Sequence, residues 1–111
     1  MITESTIHQL MTSYDGVVVD KRSTDDMVIY SLGGEIVGLV KKDSNPIQLS
    51  LRCDTNLAAL LKKQYESVLA SDQLNKKRFI KLLLTGQLSD QEVKDQIRHA
   101  YEETKQIAIQ D

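Results

Sequence analysis

The strongest constraint on the fold is a run of alternating apolar and polar residues at positions 47–53. Every second side chain in this run is apolar or a thiol: Ile47, Leu49, Leu51 and Cys53. The side chains between them are polar or charged: Gln48, Ser50 and Arg52. Because successive side chains of a strand point to opposite faces, this pattern predicts a half-buried strand. Such strands are typical of antiparallel sheets.

A pair of glycines predicts a hairpin just before this strand. Gly33-Gly34 joins two β-rich runs, residues 27–32 and 35–41. Tight hairpin turns need positive φ angles, which glycine adopts at no steric cost. A turn at residues 43–46 follows. The short apolar run at residues 79–84 is interpreted as a further strand, because it is brief and a glycine follows it.

Helical spacing indicates three helices around these strands. The first is capped by Thr3 and has an apolar stripe of Ile7, Leu10, Met11 and Tyr14. The second begins at Asp54 or Thr55, and its stripe comprises Leu57, Leu60, Leu61, Gln64, Tyr65 and Val68. The third opens with a capping box from Ser89 to Glu92. These elements predict a single α+β domain over residues 1–111, with an antiparallel sheet of four to five strands and three to four helices.

Composition limits the classes of function. The net charge is −2, so the chain lacks the overall positive charge typical of nucleic-acid binders, and binding would need a local basic patch. Cys53 is the one cysteine, which excludes an intrachain disulfide and suits a reducing compartment. The first residues contain neither a signal peptide nor a membrane span. A cytoplasmic protein is the expectation.

Residues that commonly carry catalysis are scattered. His8 and His99 have no liganding partner at a useful spacing, and each is interpreted as an ordinary surface or edge histidine. Cys53 continues the inward side of an alternating strand, which favours a buried structural thiol over a nucleophile. No glycine-rich phosphate loop is present. We therefore expect no enzymatic activity, no metal and no cofactor.

Basic clusters are the more informative feature. Lys41-Lys42 adjoins the second turn, Lys62-Lys63 lies on the exposed face of the second helix, and residues 76–78 form the densest run. Such clusters can neutralise phosphates, and they also occur as ordinary solvated surface. The sequence leaves both interpretations open.

The second half of the chain resembles the MmcQ/YjbR family. The resemblance is carried by an ordered set of segments across residues 28–104: IQLSLRCD at 47–54, LAALL at 57–61, QLNK at 73–76, QLSD at 87–90 and the pair Ala100-Tyr101. Phe79 stands where the family has tryptophan, and Ser89 where it has proline. The resemblance implies an α+β layer fold and a double-wing DNA-binding role. Asn75, Lys76 and Tyr101 match the family's motifs.

The leading hypothesis is therefore a DNA-binding module without enzymatic activity. Its expected contact residues are Lys41, Lys42, Arg52, Asn75, Lys76, Lys77 and Arg78. The alternative is a protein-interaction or chaperone-like domain, in which residues 35–41, apolar on both faces, pair with a protein partner or form a homodimer. A membrane partner is not expected.

Overall fold

The computed structural model describes residues 2–109 and has an α+β fold built on one antiparallel sheet. The helices of this part of the chain are α1 (Glu4–Ser13), α2 (Thr55–Gln64) and α3 (Asp90–Ile109). The strands are β1 (Val17–Val19), β2 (Met27–Leu32), β3 (Glu35–Lys41), β4 (Gln48–Arg52), β5 (Val68–Ala70) and β6 (Phe79–Leu83). Their order is β1-β2-β3-β4-β6-β5, and neighbours are antiparallel. The predicted fold class is confirmed, with six strands instead of four to five.

The hairpin predicted at the paired glycines is present. β2 and β3 pair antiparallel, and Gly33 and Gly34 have φ angles of 58° and 84°. β3 continues into the centre of the sheet, where β2 and β4 flank it. β2 pairs along β3, and β4 pairs with residues 38–41 of it, so the part of β3 without a second strand neighbour is residues 35–37.

Side-chain caps start the helices as predicted. Thr3 Oγ1 accepts a hydrogen bond from a first-turn N–H of α1 at 3.1 Å. At α3, Ser89 Oγ accepts from the Glu92 N–H at 3.1 Å, and Glu92 Oε1 accepts from the Ser89 N–H at 2.9 Å. Asp54 is the cap of α2, because its carboxylate accepts two backbone N–H groups of the first turn. These bonds satisfy donors that have no partner within a helix.

The second helix is shorter than predicted. α2 ends at Gln64, and Val68 begins the edge strand β5, which pairs with β6. Leu60, expected in the buried stripe, is 52% exposed, and Gln64 is exposed as well. The spacing from Leu57 to Val68 fits a helix, but pairing with β6 satisfies the backbone of this segment in extended form. Local periodicity was therefore overridden by a contact distant in sequence.

The helices cover one face of the sheet. α3 packs across β3 and β4, α1 packs beside β1, and α2 beside β5. The alternation in β4 directs Leu49 and Leu51 to this helix-covered face, where both are buried. The most enclosed apolar residues here are Ile7, Met11, Val37, Leu49, Leu51, Ile80, Leu82, Val93, Ile97 and Ala100. Burying each large aliphatic side chain contributes roughly 1.5–3 kcal/mol, so this cluster is the main source of stability.

The opposite face of the sheet carries polar residues that are nevertheless buried. Ser50 of β4 lies opposite Leu39 of β3 and Lys81 of β6, and all three side chains are buried. The loop of residues 71–78 joins β5 to β6, and its Ser71 bonds to Ser50. We call this loop the strap. It connects the polar face to the end of the sheet where α2 begins.

Gly38 of β3 sits where no side chain fits. A Cβ atom at this position would lie 2.8 Å from Met11 Cε and 2.8 Å from the Ser50 carbonyl oxygen. The methionine side chain can move, but the Ser50 carbonyl belongs to the paired strand β4 and cannot.

We predict that Gly38→Ala lowers the free energy of unfolding by about 2–3 kcal/mol, since overpacking at this contact must shift the sheet backbone. Urea denaturation followed by circular dichroism measures the change. Ser5→Ala, on the exposed surface of α1, serves as the control and should alter stability by less than about 0.5 kcal/mol. Equal stability of the two variants would contradict the packing described here.

Cys53 follows β4 and lies within the helix-side core. Burial raises the pKa of its thiol to about 11, and the nearby Asp54 and Glu103 carboxylates act in the same direction. At pH 8, therefore, about one Cys53 side chain in a thousand is in the thiolate form. Because the thiolate is the reactive form, Cys53 reacts slowly with thiol reagents in the folded protein.

We predict that an aromatic disulfide reagent labels folded protein at pH 8 at least about a hundredfold more slowly than urea-unfolded protein, which exposes a thiol of ordinary pKa. Absorbance of the released thiolate gives both rates. Rapid labelling of the folded chain, at a rate close to that of the unfolded chain, would show that Cys53 is accessible.

Candidate functional site

A groove lined by cationic side chains lies between α2 and the end of the strap. Its volume is about 490 Å³. One wall is formed by α2 and the other by the last residues of the strap, with Ala70 of β5 between them. The lining residues are Thr55, Ala58, Ala59, Lys62, Ala70, Lys76, Lys77 and Arg78. We refer to this region as the basic groove.

One face of α2 forms the helical wall. Thr55, Ala58, Ala59 and Lys62 follow the spacing that places side chains on the same side of a helix. The first three are small, so a ligand can approach the helix backbone closely. Lys62 lies one further turn along and contributes a cation at the edge of this wall. The sequence singled out Lys62 as exposed but gave no reason to join it with residues 76–78.

A tight turn forms the other wall. The Asn75 carbonyl accepts hydrogen bonds from the N–H groups of Arg78 and Phe79, both at 3.0 Å. Asn75 Oδ1 accepts from the Lys77 N–H at 2.9 Å. The Asn75 side chain therefore holds the turn together, and its amide oxygen is already engaged. The three cationic side chains that follow it are exposed: Lys76, Lys77 and Arg78.

The cations of the basic groove are not neutralised by neighbouring acids. Within residues 2–109, the side chains of Lys62, Lys76, Lys77 and Arg78 make no salt bridge to a carboxylate. Four positive charges thus converge on one concave surface of a molecule whose net charge is −2. A concave site focuses such charges into a local positive potential.

Arg52 is adjacent to the basic groove, but its side chain makes contacts within the sheet. Its Nε donates to the Ile36 carbonyl at 2.9 Å, and its guanidinium lies 4.7 Å from the centre of the Phe79 ring. Glu35 is 3.8 Å away. Burial lowers the pKa of Arg52, whereas the nearby Glu35 carboxylate acts in the opposite direction. These contacts join β3, β4 and β6.

Lys41 and Lys42 lie at the other end of β4 from the basic groove. Lys41 pairs with Gln48, four residues before Arg52, which corresponds to about 13 Å along the strand. The Lys42 N–H donates to the Asp26 carbonyl at 2.8 Å, and its side chain is exposed. Of the seven residues expected to contact DNA, the structure brings Lys76, Lys77 and Arg78 together at the groove, while Lys41 and Lys42 form a separate exposed pair.

The remaining reactive side chains are engaged in structural contacts. His8 Nδ1 is 3.0 Å from the Tyr30 hydroxyl, and His99 Nε2 accepts a hydrogen bond from the Asp54 N–H at 3.2 Å. Across residues 2–109, no three histidine, cysteine, aspartate or glutamate side chains are grouped to hold a metal ion. The same residues contain no helix both long and apolar enough to cross a bilayer.

Comparisons with known proteins identify the fold. No family model matches the sequence, and no curated protein is similar to it. A Deinococcus radiodurans protein with a DUF419 domain has the same fold, with a TM-score of 0.81 and 19% identity over 91% of this chain and 77% of that one. A Pseudomonas syringae crystal structure gives a TM-score of 0.72 at 18% identity, over 94% of this chain and 99% of that one. At these identities the comparisons show the fold alone: this chain shares the fold of the DUF419-domain protein.

Proposed function

We propose that this chain is a non-enzymatic nucleic-acid-binding module that holds the phosphate backbone of DNA in the basic groove. The observation that carries the proposal is the convergence on one concave surface of four cations that form no salt bridge with the acids of residues 2–109. Phosphates are the ligands that such a surface binds best, because each contact releases a counterion condensed on the nucleic acid. The family resemblance points to the same ligand.

The groove is suited to backbone contacts more than to reading bases. Its lining contains lysine, arginine, threonine and alanine, and no aromatic ring on which a base could stack. The nearby amide of Asn75 is bonded to the backbone of its own turn. Since phosphate contacts fix position without reading sequence, we expect similar affinity for DNA of different sequences.

The side chains at and near the groove suit a binding role. The buried Cys53 thiol has a raised pKa, and both histidines hold structural hydrogen bonds. The polar groups that line the groove are the cations and the Thr55 hydroxyl, which can donate to phosphate oxygens.

We predict that Lys76→Glu/Lys77→Glu weakens binding to a ~20-base-pair duplex by about tenfold or more, since it replaces two phosphate contacts with repulsion. For the unchanged protein, log K should fall with log salt at a slope of about −3.6 if four phosphates are contacted. Fluorescence anisotropy over a salt series measures both. Two duplexes of unrelated sequence should give similar values.

Lys21→Glu/Lys42→Glu is the matched control, because it makes the same change in net charge at two exposed lysines that do not line the groove. It should weaken binding less than about threefold, as charges beyond a Debye length are screened. Equal losses from the two double variants, or affinity that does not depend on salt, would contradict binding at the basic groove.

A second candidate function, homodimer formation, is supported by the edge strand β1. Val18 and Val19 are 56% and 47% exposed, and among residues 2–109 β1 pairs with β2 alone. Exposed apolar residues beside a free strand edge favour pairing with another chain. Antiparallel pairing of two β1 strands around a two-fold axis would bury these valines.

We predict that Val18→Lys shifts a concentration-dependent dimer toward monomer, because it places a charge in the paired edge. Light scattering after size-exclusion chromatography gives the mass. Leu60→Lys, at a similarly exposed leucine on α2, should leave the mass unchanged. A protein that is monomeric at every concentration would exclude this candidate.

A further inference from the structure

The strap is attached to the polar face of the sheet before it reaches the basic groove. Its first residue, Ser71, shares a hydrogen bond of 3.2 Å with the buried Ser50 hydroxyl. The next residue, Asp72, lies 2.6 Å from Lys81 Nζ. Ser71 Oγ also accepts from the Leu74 N–H at 3.2 Å, which turns the chain back toward the end of the sheet.

Lys81 is an unusual residue for this position. It is central in β6, opposite Ser50 of β4 and Leu69 of β5, and is only 8% exposed. Burying an ammonium group is costly unless an acid and hydrogen bonds compensate it. Asp72 is the carboxylate that lies within salt-bridge distance of it among residues 2–109. The Lys81 side chain is therefore buried along its stem, while its ammonium group meets the exposed carboxylate of Asp72 on the strap.

The same attachment fixes the cations of the groove. Lys76 follows Asp72 by four positions, a span of at most about 14 Å even when extended. At the other end of the strap, the Arg78 carbonyl accepts from the Cys53 N–H at 2.9 Å. The turn that presents Lys76, Lys77 and Arg78 is thus held between two anchors, one on the sheet face and one at the end of β4.

We propose that Asp72 and Lys81 are positioning residues for phosphate binding: their ion pair fixes the strap so that its turn faces α2 across the basic groove. The role of the ion pair in phosphate binding rests on the proposed function. The claim that the ion pair restrains the turn does not. Lys81 also lowers the pKa of Asp72, chiefly through their hydrogen bond, with a smaller contribution from Lys41. The carboxylate is accordingly ionised at neutral pH.

The charge of Asp72 makes the proposal distinguishable from simple electrostatics. Removing a carboxylate near a phosphate-binding surface should strengthen binding if charge alone matters. Removing an anchor should weaken it, because a mobile turn loses conformational entropy on binding. The number of cations is unchanged, so the salt slope should stay the same. The two explanations therefore predict changes of opposite sign.

The experiment compares Asp72→Ala with Asp25→Ala, an equal change in charge at an exposed loop residue. Amide hydrogen exchange of Arg78 and Phe79, followed by NMR without DNA, reports the hold on the turn. We expect Asp72→Ala to accelerate this exchange about tenfold and Asp25→Ala to leave it unchanged. Lys81→Met, which keeps the apolar stem, should accelerate it similarly. Duplex affinity should fall about fivefold for Asp72→Ala at an unchanged salt slope.

Each outcome bears on one of the two proposals. Faster exchange together with weaker binding supports both. If exchange is faster in Asp72→Ala but the unchanged protein does not bind DNA, the Asp72–Lys81 ion pair restrains the turn and the proposed function is refuted. Unchanged exchange, or tighter binding by Asp72→Ala, overturns the positioning role.

Discussion

The structure depends on β4 being covered on both faces although only one of its faces is apolar. Leu49 and Leu51 face the helices and need no partners beyond close packing. Ser50, on the other face, is equally buried and must have a hydrogen-bond partner, because an unsatisfied buried polar group costs about 1–3 kcal/mol. That partner comes from the strap, through Ser71. The polar half of the alternating pattern thus determines where the strap lies.

This requirement explains why two of the chain's cations are not available to a ligand. Arg52 and Lys81 lie on the polar face. Because their side chains are largely buried, each forms an ion pair with an acid and makes other local contacts. Arg52 was expected to contact DNA, but its guanidinium bonds to the Ile36 carbonyl and lies over Phe79. Cations at the end of the sheet are not buried and do not need such partners. They remain exposed and are the ones that line the basic groove.

Sequence patterns predicted the parts of this fold that are determined by near neighbours. The alternation at residues 47–53 gave β4, Gly33-Gly34 gave the hairpin, and Ser89 with Glu92 gave the start of α3. β5 was missed because its three residues follow Tyr65 at helical spacing, and pairing with β6 is a contact that periodicity does not encode. The groove was missed in part for the same reason. Lys62 and Lys76 come together through the β5–β6 connection, which brings the strap back to α2.

A net charge of −2 does not prevent such a groove from binding a polyanion, because screening limits the range over which charges act. At physiological ionic strength the Debye length is about 8 Å, whereas the molecule extends 35 × 30 × 24 Å. Acids on distant surfaces therefore contribute little at the groove. The four phosphate contacts proposed for the groove would make a weak site, in the range of about 10⁻⁴ to 10⁻⁶ M for non-specific binding.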